Sequence, residues 1–338
     1  MDAAAIKAAA ALLEQGKLVA LPTETVYGLG ADAENPAAVA AIFAAKGRPS
    51  DHPVIVHLAA GADLSHWAVA IPPEAEKLTA AFWPGPLTLI LKRAPAIPDA
   101  VSGGQDSIGL RCPSHPVAQA LLQSFKNGQG GIAAPSANRF GHVSPTTAQH
   151  VLDEFGSDEY SPLACILDGG QSEVGIESTI VDLSRMATHG PVLLRPGQIS
   201  AAQIAAVIGM TPAAPDAAAP RASGTLEAHY APRTPVALVA TSALAQVMQA
   251  LAQKGRRFVL MQCASADELQ PALLAQRKLP SDPEGYAHAL YACMRELDRL
   301  GSDIMLIEQP PADSSWQGVN DRLRRAAFDS TAVLTGLM

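Results

Sequence analysis

The chain has 338 residues, 48% of them hydrophobic and only 4% aromatic, with a formal net charge of −8. That length allows two domains, and the apolar content, much of it helix-favouring alanine, allows a sizeable core. The acidic balance and the scarcity of aromatics argue against a general nucleic-acid-binding face or a stacking platform for single strands.

Asp2 is placed to cap a helix running to about Gln15, with Ile6, Ala9, Leu12 and Leu13 on one face and Gly16 just past its end. Leu18–Leu21 is an apolar run of strand length that Pro22 ends by removing a backbone donor. The next stretch, Thr23-Glu24-Thr25-Val26-Tyr27-Gly28-Leu29-Gly30, reads as a loop. It sets hydroxyls and a carboxylate just past a strand's carboxyl end, where open α/β sheets bind small molecules, and its glycines permit a tight turn or a close approach to a ligand. Asn35-Pro36 opens a helix over 37–46, closed by Gly47, and a buried strand follows over 53–58. Helical stretches are expected around 63–69 and 72–83, strands over 87–92 and 107–111, a helix over 116–125 and a short strand over 131–134. After a long polar loop, 135–145, come a helix near 147–154, strands over 164–167, 178–183 and 192–195, and a helix capped by Ser200 that runs to Ile208. This pattern predicts an open α/β sheet of six or more strands.

Residues 209–235 are rich in proline and alanine and read as a semi-rigid linker. Beyond them a strand (236–240), a helix (242–254), a strand (257–261), helices over 267–276 and 283–300, a strand (303–307) and a helix (315–327) predict a small parallel α/β domain. The chain thus divides into 1–208, 209–235 and 236–338, without an internal repeat.

Cys112, Cys165, Cys263 and Cys293 lie far apart with no CxxC or Cys/His ligand spacing, as expected of reduced thiols in a cytoplasmic protein. No signal peptide and no 18-residue apolar span is visible. The GxxxxGK[ST] phosphate loop, the dinucleotide fingerprint, the GxSxG elbow and HExxH are all missing.

Chemistry-bearing groups instead gather in several short segments. Lys46-Gly47-Arg48 suits a polyanion, with a compact ammonium and a planar fork on either side of a glycine, and equally suits a solvated helix end. His57 sits in an apolar strand, where a histidine satisfied by a carbonyl is the ordinary reading. Arg111, at a strand end before Cys112-Pro113, suits a carboxylate clamp or a surface ion pair. Ser136, Asn138 and Ser144 offer hydroxyl and amide groups on the loop after a strand, as nucleotide pockets do and as simple turns do. Ser178-Thr179 and Leu194-Arg195-Pro196-Gly197 complete the set. Together these residues fit a nucleoside triphosphate and a carboxylate, with nearby Asp and Glu able to share Mg2+.

Pro22-Thr23-Glu24-Thr25-Val26-Tyr27-Gly28-Leu29-Gly30, Lys46-Gly47-Arg48-Pro49, Pro135-Ser136-Ala137-Asn138, Ser178-Thr179 and Leu194-Arg195-Pro196-Gly197 resemble the YrdC-domain family in its long form, the threonylcarbamoyl-AMP synthases. The likeness continues through His229-Tyr230-Ala231-Pro232 and Val319-Asn320-Asp321-Arg322-Leu323, so it covers nearly the whole chain. The resemblance implies a YrdC-like open twisted mixed sheet with flanking helices and a small Rossmann-like C-terminal domain. It implies that L-threonine, bicarbonate or CO2, and ATP with Mg2+ give threonylcarbamoyl-AMP and pyrophosphate. The product would pass to a transferase that modifies adenosine 37 of tRNA, with little direct tRNA binding by this chain and no membrane association. A non-catalytic RNA-binding module, or a carbamoyl-adenylate former acting on another substrate, are the alternatives.

On the same resemblance Lys46 and Arg48 carry catalysis and, with Arg195, hold the ATP phosphates. His52, Ser107, Ser136, Asn138, Ser144, His229 and Tyr230 line the nucleotide, and Thr25, His57, Arg111, Ala134 and Ser178 hold threonine, with Arg111 on its carboxylate. The family more often has asparagine at the place of His52. The linker is similar to the family's active-site lid, but Ser223-Gly224-Thr225-Leu226-Glu227-Ala228 lacks the usual two basic residues there and adds Glu227.

Overall fold

The computed structural model describes residues 2–156, 160–263, 272–328 and 330–338. It divides the chain into two compact units, one of residues up to Phe140 together with Ser144–Thr225, the other of Gly141–Val143 and Leu226–Met338.

In the first unit the strands are β1 (Leu18–Leu21), β2 (Gly28–Asp32), β3 (Ile55–Leu58), β4 (Ala68–Val69), β5 (Leu87–Arg93), β6 (Ser107–Arg111), β7 (Gly131–Ala133), β8 (Leu163–Ile166), β9 (Thr179–Asp182) and β10 (Val192–Arg195). They form one sheet in the order β10-β9-β5-β6-β3-β7-β2-β1-β8, with β4 added beside β5. The sheet is mixed: β1/β8, β3/β6 and β5/β9 are parallel pairs, and the rest are antiparallel.

Its helices are α1 (Ala3–Glu14), α2 (Pro36–Lys46), α3 (Pro73–Phe82), α4 (Pro116–Ser124), α5 (Ala148–Phe155), α6 (Met186–His189) and α7 (Ala201–Ile208). Side chains alternate across a strand, and the sheet sorts them accordingly. Val56 and Leu58 of β3, Leu110 of β6, and Leu89 and Leu91 of β5 pack into the main core with Ile42 of α2, Leu78 of α3 and Ile204 of α7. On the opposite face Ile132 joins Leu13 of α1 and Leu121 of α4. Ile55, Ile90, Ile180, Val192 and Leu194 form a separate small cluster with Ala222 of the linker. Between those last two groups the sheet carries its polar residues.

Two local readings of the sequence are corrected. The stretch expected to be a loop through Gly30 holds a fully buried strand, β2, that pairs antiparallel with β1 through Val19↔Gly30 and Leu21↔Gly28. A Cβ at position 30 would stand 2.9 Å from the Val19 carbonyl oxygen and from Leu21 Cδ2, so the close strand approach requires glycine there. The helix expected over 63–69 is only a 3-10 turn, Leu64–His66, followed by β4.

The second unit is a four-stranded parallel sheet. Its strands β11 (Val236–Val239), β12 (Phe258–Gln262), β13 (Leu273–Lys278) and β14 (Ile304–Glu308) lie in the order β11-β14-β12-β13, with helices α8 (Thr241–Gln253), α9 (Pro283–Asp298), α10 (Gln317–Ala326) and α11 (Ser330–Leu337). The helix expected over 267–276 is corrected in its second part. Leu273–Lys278 pairs with β12, and 264–271 lie outside the described residues. α11 was not legible as a helix; its Val333, Leu334 and Leu337 pack on the core built from Leu244, Leu251 and Leu306. Among the described residues no helix is long and apolar enough to cross a membrane, and all four cysteines are free.

Candidate functional site

The loop between β1 and β2 folds on its own hydroxyls. Thr23 Oγ1 donates to the Val26 carbonyl at 2.6 Å, and Thr23 and Thr25 share a hydroxyl–hydroxyl bond of 2.9 Å. This is the short-range bonding that draws threonine into turns. Backbone bonds then tie the hairpin to the segment after β7: Leu29 N–H donates to Pro135 O at 2.7 Å and Ala137 N–H to Tyr27 O at 2.8 Å. Thr25, Ala134, Ser136 and Asn138 therefore share one end of the sheet. The Tyr27 hydroxyl donates to Gly170 O at 2.8 Å, and burial pushes that phenol up to about 12.

Across β3 and β6 His57 and Arg111 lie in register, so both project from one face. Thr88 of β5 faces Arg111 in the next register and shares a 2.8 Å bond with Ser178 Oγ. Arg195 Nε donates to Ser178 O at 3.0 Å and Nη2 to Ser178 Oγ at 3.1 Å. His57, Arg111, Ser178 and Arg195 are all buried, and the strand register and the Ser178 bonds bring them to one face of the sheet. Arg111 Nη2 also stands 2.7 Å from Glu24 Oε1, the two side chains being 5% and 3% exposed.

His57 is held neutral. Burial first, and then the charge of Arg111, push it down to about 3 from an ordinary 6.5. A depressed histidine means that the unfolded chain takes up a proton the folded chain refuses. Stability from this group is therefore full above pH 6.5 and is lost as pH falls toward 3, at up to about 1.4 kcal/mol per pH unit. His57→Gln is expected to flatten that slope, so that its unfolding free energy in urea falls less than that of the unmodified chain between pH 6.5 and 5.5. Parallel slopes would show that His57 does not titrate on unfolding.

The cations converge from another side. Gly47, at φ 62°, closes α2 in the left-handed conformation that glycine favours. Lys46 is thereby turned inward, 4% exposed, and its Nζ donates to the carbonyls of Ser136 and Asn138, each at 2.5 Å. The solvated helix end that the sequence also allowed is excluded for Lys46. Burial and then the neighbouring charge of Arg48 hold its ammonium well below the usual lysine range, against the charges of Glu154 and Glu177. Arg48 Nη2 donates to Pro53 O at 2.8 Å and to Ser223 Oγ at 3.4 Å, while Arg195 Nη1 donates to Ser223 O at 2.7 Å. One linker residue therefore bridges the two arginines. His52 lies in the same turn, edge-on to Phe140 at 5.7 Å.

The other candidate residues have surroundings of their own. Asn138 Nδ2 donates to Arg139 O at 2.7 Å, and Ser144 Oγ donates to Glu177 Oε1 at 2.5 Å. Ser107 shares a face with Arg111 but begins the strand that Arg111 ends, about 13 Å away. It opens onto a cavity of about 790 Å³ bordered also by Lys92, Asp106, Arg185 and Pro220. His229 and Tyr230 belong to the second unit. There His229 N–H donates to Arg325 O at 3.3 Å and Arg322 lies over the Tyr230 ring at 5.5 Å. Tyr230 holds φ 61°, a conformation that non-glycine residues adopt at a cost.

From the sequence Glu24 and Ser223 were visible only as members of a polar loop and of the lid-like run, without a role in the site, and Thr88 was not singled out. Glu24 carried a signal, a carboxylate inside a polar loop, whereas Thr88 sits in an apolar strand pattern with none. Among the described residues no group of three or more His, Cys, Asp or Glu could hold a metal ion.

Residues 11–197 match the Sua5/YciO/YrdC family, described as telomere recombination, and residues 199–328 match the threonylcarbamoyl-AMP synthase C-terminal domain. Threonylcarbamoyl-AMP synthase of Pyrococcus abyssi is 38% identical over 335 residues, spanning 95% of this chain and 94% of that protein. Its counterpart from Bacillus subtilis is 39% identical over 334 residues, spanning 95% and 92%. The solved structure of P. abyssi Sua5 complexed with L-threonine is similar, with a TM-score of 0.87 at 36% identity, and covers 98% of this chain and 96% of that one.

Proposed function

The chain belongs to the threonylcarbamoyl-AMP synthase family, and from that premise we propose that it joins L-threonine, CO2 drawn from bicarbonate, and ATP into threonylcarbamoyl-AMP and pyrophosphate. The observation that carries the reading is one sheet face that brings His57, Arg111 and Ser178 beside Arg195, which Ser223 links to Arg48. An amino acid suits the first group and a polyphosphate the second. The P. abyssi relative crystallised with L-threonine supports threonine as the amino acid.

In this reading Arg111 takes the threonine carboxylate, and Thr25, His57, Ala134 and Ser178 surround the rest of the molecule. His57, kept neutral, adds no competing charge. The amine attacks CO2, the resulting carbamate oxygen attacks the α-phosphorus of ATP, and pyrophosphate leaves. No covalent enzyme intermediate is needed, so catalysis is positioning together with stabilisation of phosphate charge. An ammonium has three donors and Lys46 spends two on loop carbonyls, leaving one for a phosphate oxygen. Arg48 and Arg195 add planar donors. His52, Ser107, Ser136, Asn138, Ser144, His229 and Tyr230 are assigned to the nucleotide. Mg2+ would arrive with the triphosphate, because the described residues offer no cluster to hold it alone; no step is assigned to it.

Residues 1–208 carry the chemistry, 209–235 act as a lid and 236–338 form a separate α/β domain. The product is labile to water and is consumed by a transferase that modifies adenosine 37 of tRNA in the cytoplasm. Pyrophosphate release from ATP with magnesium and bicarbonate tests the assignment. Release is expected to depend on L-threonine and to be weak with L-serine. No release with any amino acid would overturn the reading.

A further inference from the structure

We propose that Glu24 is a catalytic residue of this site, its carboxylate receiving the N–H proton of threonine as the carbamate C–N bond forms. The proposal rests on the threonine reading given above.

Glu24 is fixed by its backbone. Its carbonyl accepts from Val174 N–H at 2.7 Å, and the Thr23–Thr25 hydroxyl bond clasps the loop on either side. The side chain is 3% exposed and meets Arg111 Nη2 at 2.7 Å. Among the described residues, however, neither Glu24 oxygen completes a hydrogen bond with any partner, nor do Arg111 Nε and Nη2. A buried carboxylate and a buried guanidinium ordinarily have such partners. The site therefore offers acceptors and donors side by side, and a free α-amino acid matches both: its carboxylate takes the Arg111 N–H groups and its amino N–H groups face Glu24.

The placement of the acid also has to be explained. If Arg111 served only to bind an anion, a carboxylate at 2.7 Å would weaken it. An uncharged side chain could fill the same space. The acid is useful if its task lies with the amine. The neutral amine nitrogen donates its lone pair to the carbon of CO2, and one C=O pair moves onto oxygen. The adduct nitrogen is then positively charged and its N–H acidic. Transfer of that proton to Glu24 leaves a carbamate anion and a carboxylic acid, with no change of oxidation state. The carbamate is then the nucleophile for the α-phosphorus, and Glu24 returns its proton to solvent with product release.

The charged and titratable groups that meet Glu24 include Arg111 on β6 and Cys112 just after it, whose thiol is pushed up to about 11 by burial and by the Glu24 charge. His57, beside Arg111, is pushed down to about 3. Neither the thiol nor the imidazole titrates between pH 6 and 9, so a change in rate there is not theirs.

The test uses the full chain, unmodified and as Glu24→Gln and Glu24→Asp, with threonine affinity measured by calorimetry and turnover by pyrophosphate release. At pH 7.5, Glu24→Gln is expected to lower kcat at saturating threonine by about 100-fold, with threonine affinity changed less than about tenfold. Glu24→Asp, which keeps the base, is expected to fall between the two. At about pH 9 in concentrated bicarbonate, threonine carbamate forms in solution. It enters beyond the Glu24 step, so the Glu24→Gln deficit is expected to shrink to less than about tenfold. A deficit of equal size under both conditions, or one confined to threonine affinity, would overturn the proposal and leave Glu24 as a support for Arg111. If Glu24→Gln does not fold, Glu24→Asp decides: a deficit that bicarbonate does not relieve overturns the proposal equally. An unmodified chain without threonine-dependent release overturns the threonine reading itself, whereas an active unmodified chain beside an equally active Glu24→Gln overturns only the role of Glu24.

Discussion

Lys46→Met is expected to lower kcat by about 10³-fold and leave threonine affinity nearly unchanged, as removal of a preorganised cation from a phosphoryl-transfer site does. The substitution keeps most of the apolar stem inside the protein and deletes the ammonium. That ammonium sits 2.5 Å from the carbonyls of both Ser136 and Asn138, so it also fixes the segment that follows β7. Its proton is held loosely, because burial and Arg48 disfavour the charge. An arriving triphosphate reverses that balance, and the interaction strengthens as negative charge gathers on the leaving pyrophosphate. Lys46→Arg is expected to fare little better, because two carbonyls at 2.5 Å fit a compact ammonium and not a planar fork. Arg48→Ala is expected to act through the phosphates and through the linker segment together, because Arg48 is half-buried and donates to Pro53 O and Ser223 Oγ. Pyrophosphate release, with thermal melting to verify folding, reads all three. A folded Lys46→Met within tenfold of the unmodified rate would remove Lys46 from the chemistry.

The contrast between Lys46 and Glu24 shows what the sequence could and could not disclose. Lys46-Gly47-Arg48 was legible as a polyanion motif because residue type, spacing and the helix-ending glycine are all local. Which of the two cations would be buried was not local. It depends on the Ser136 and Asn138 carbonyls, 90 and 92 residues away along the chain. Glu24 and Arg111 were each visible as polar residues near strand ends, but their meeting follows from the sheet order, in which β6 and β3 lie between β5 and β7. Thr88 was hidden for a related reason: in a buried strand a threonine reads as one more β-branched residue until its hydroxyl finds Ser178.

Secondary structure failed where local cues conflicted with packing. Gly28-Leu29-Gly30 reads as a turn, yet those glycines let β1 and β2 approach each other. The helix expected over 267–276 has alanine and leucine in its favour, but Leu273–Lys278 completes the edge of a parallel sheet beside β12, where strand pairing overrides weak propensity. Caps, by contrast, were read correctly because they are short-range. Asp2, Asn35 and Ser200 each accept from the first turn of the following helix.

A chain ending at Ile208 is expected to lose about 10³-fold in turnover, whereas one ending at Thr225 keeps the fold of the first unit and part of its activity. The difference lies in 17 residues that pack on the sheet's polar face. Ser223 accepts from Arg48 at 3.4 Å and from Arg195 at 2.7 Å, and donates to Pro53 O at 2.9 Å, so its loss frees both arginines from one another. Ala222 covers Ile55, Ile90 and Ile180, and Arg221 is bound to Gln105 and Gly103 at 2.7 and 2.9 Å. Stripping this segment opens the apolar cluster to water beside a site whose adenylate product is sensitive to hydrolysis. The first unit should nonetheless remain folded after either cut, because its main core of Val56, Leu89, Leu110 and Ile42 contains no residue beyond Met210. Melting curves and pyrophosphate release on the two shortened chains separate the effects. If the chain ending at Ile208 turns over as fast as the one ending at Thr225, Ser223 does not organise the arginines and the lid begins elsewhere. If the longer one alone is active, what the residues after Thr225 add is the remaining difference from the whole chain, a quantity that His229→Ala and Tyr230→Ala can then divide.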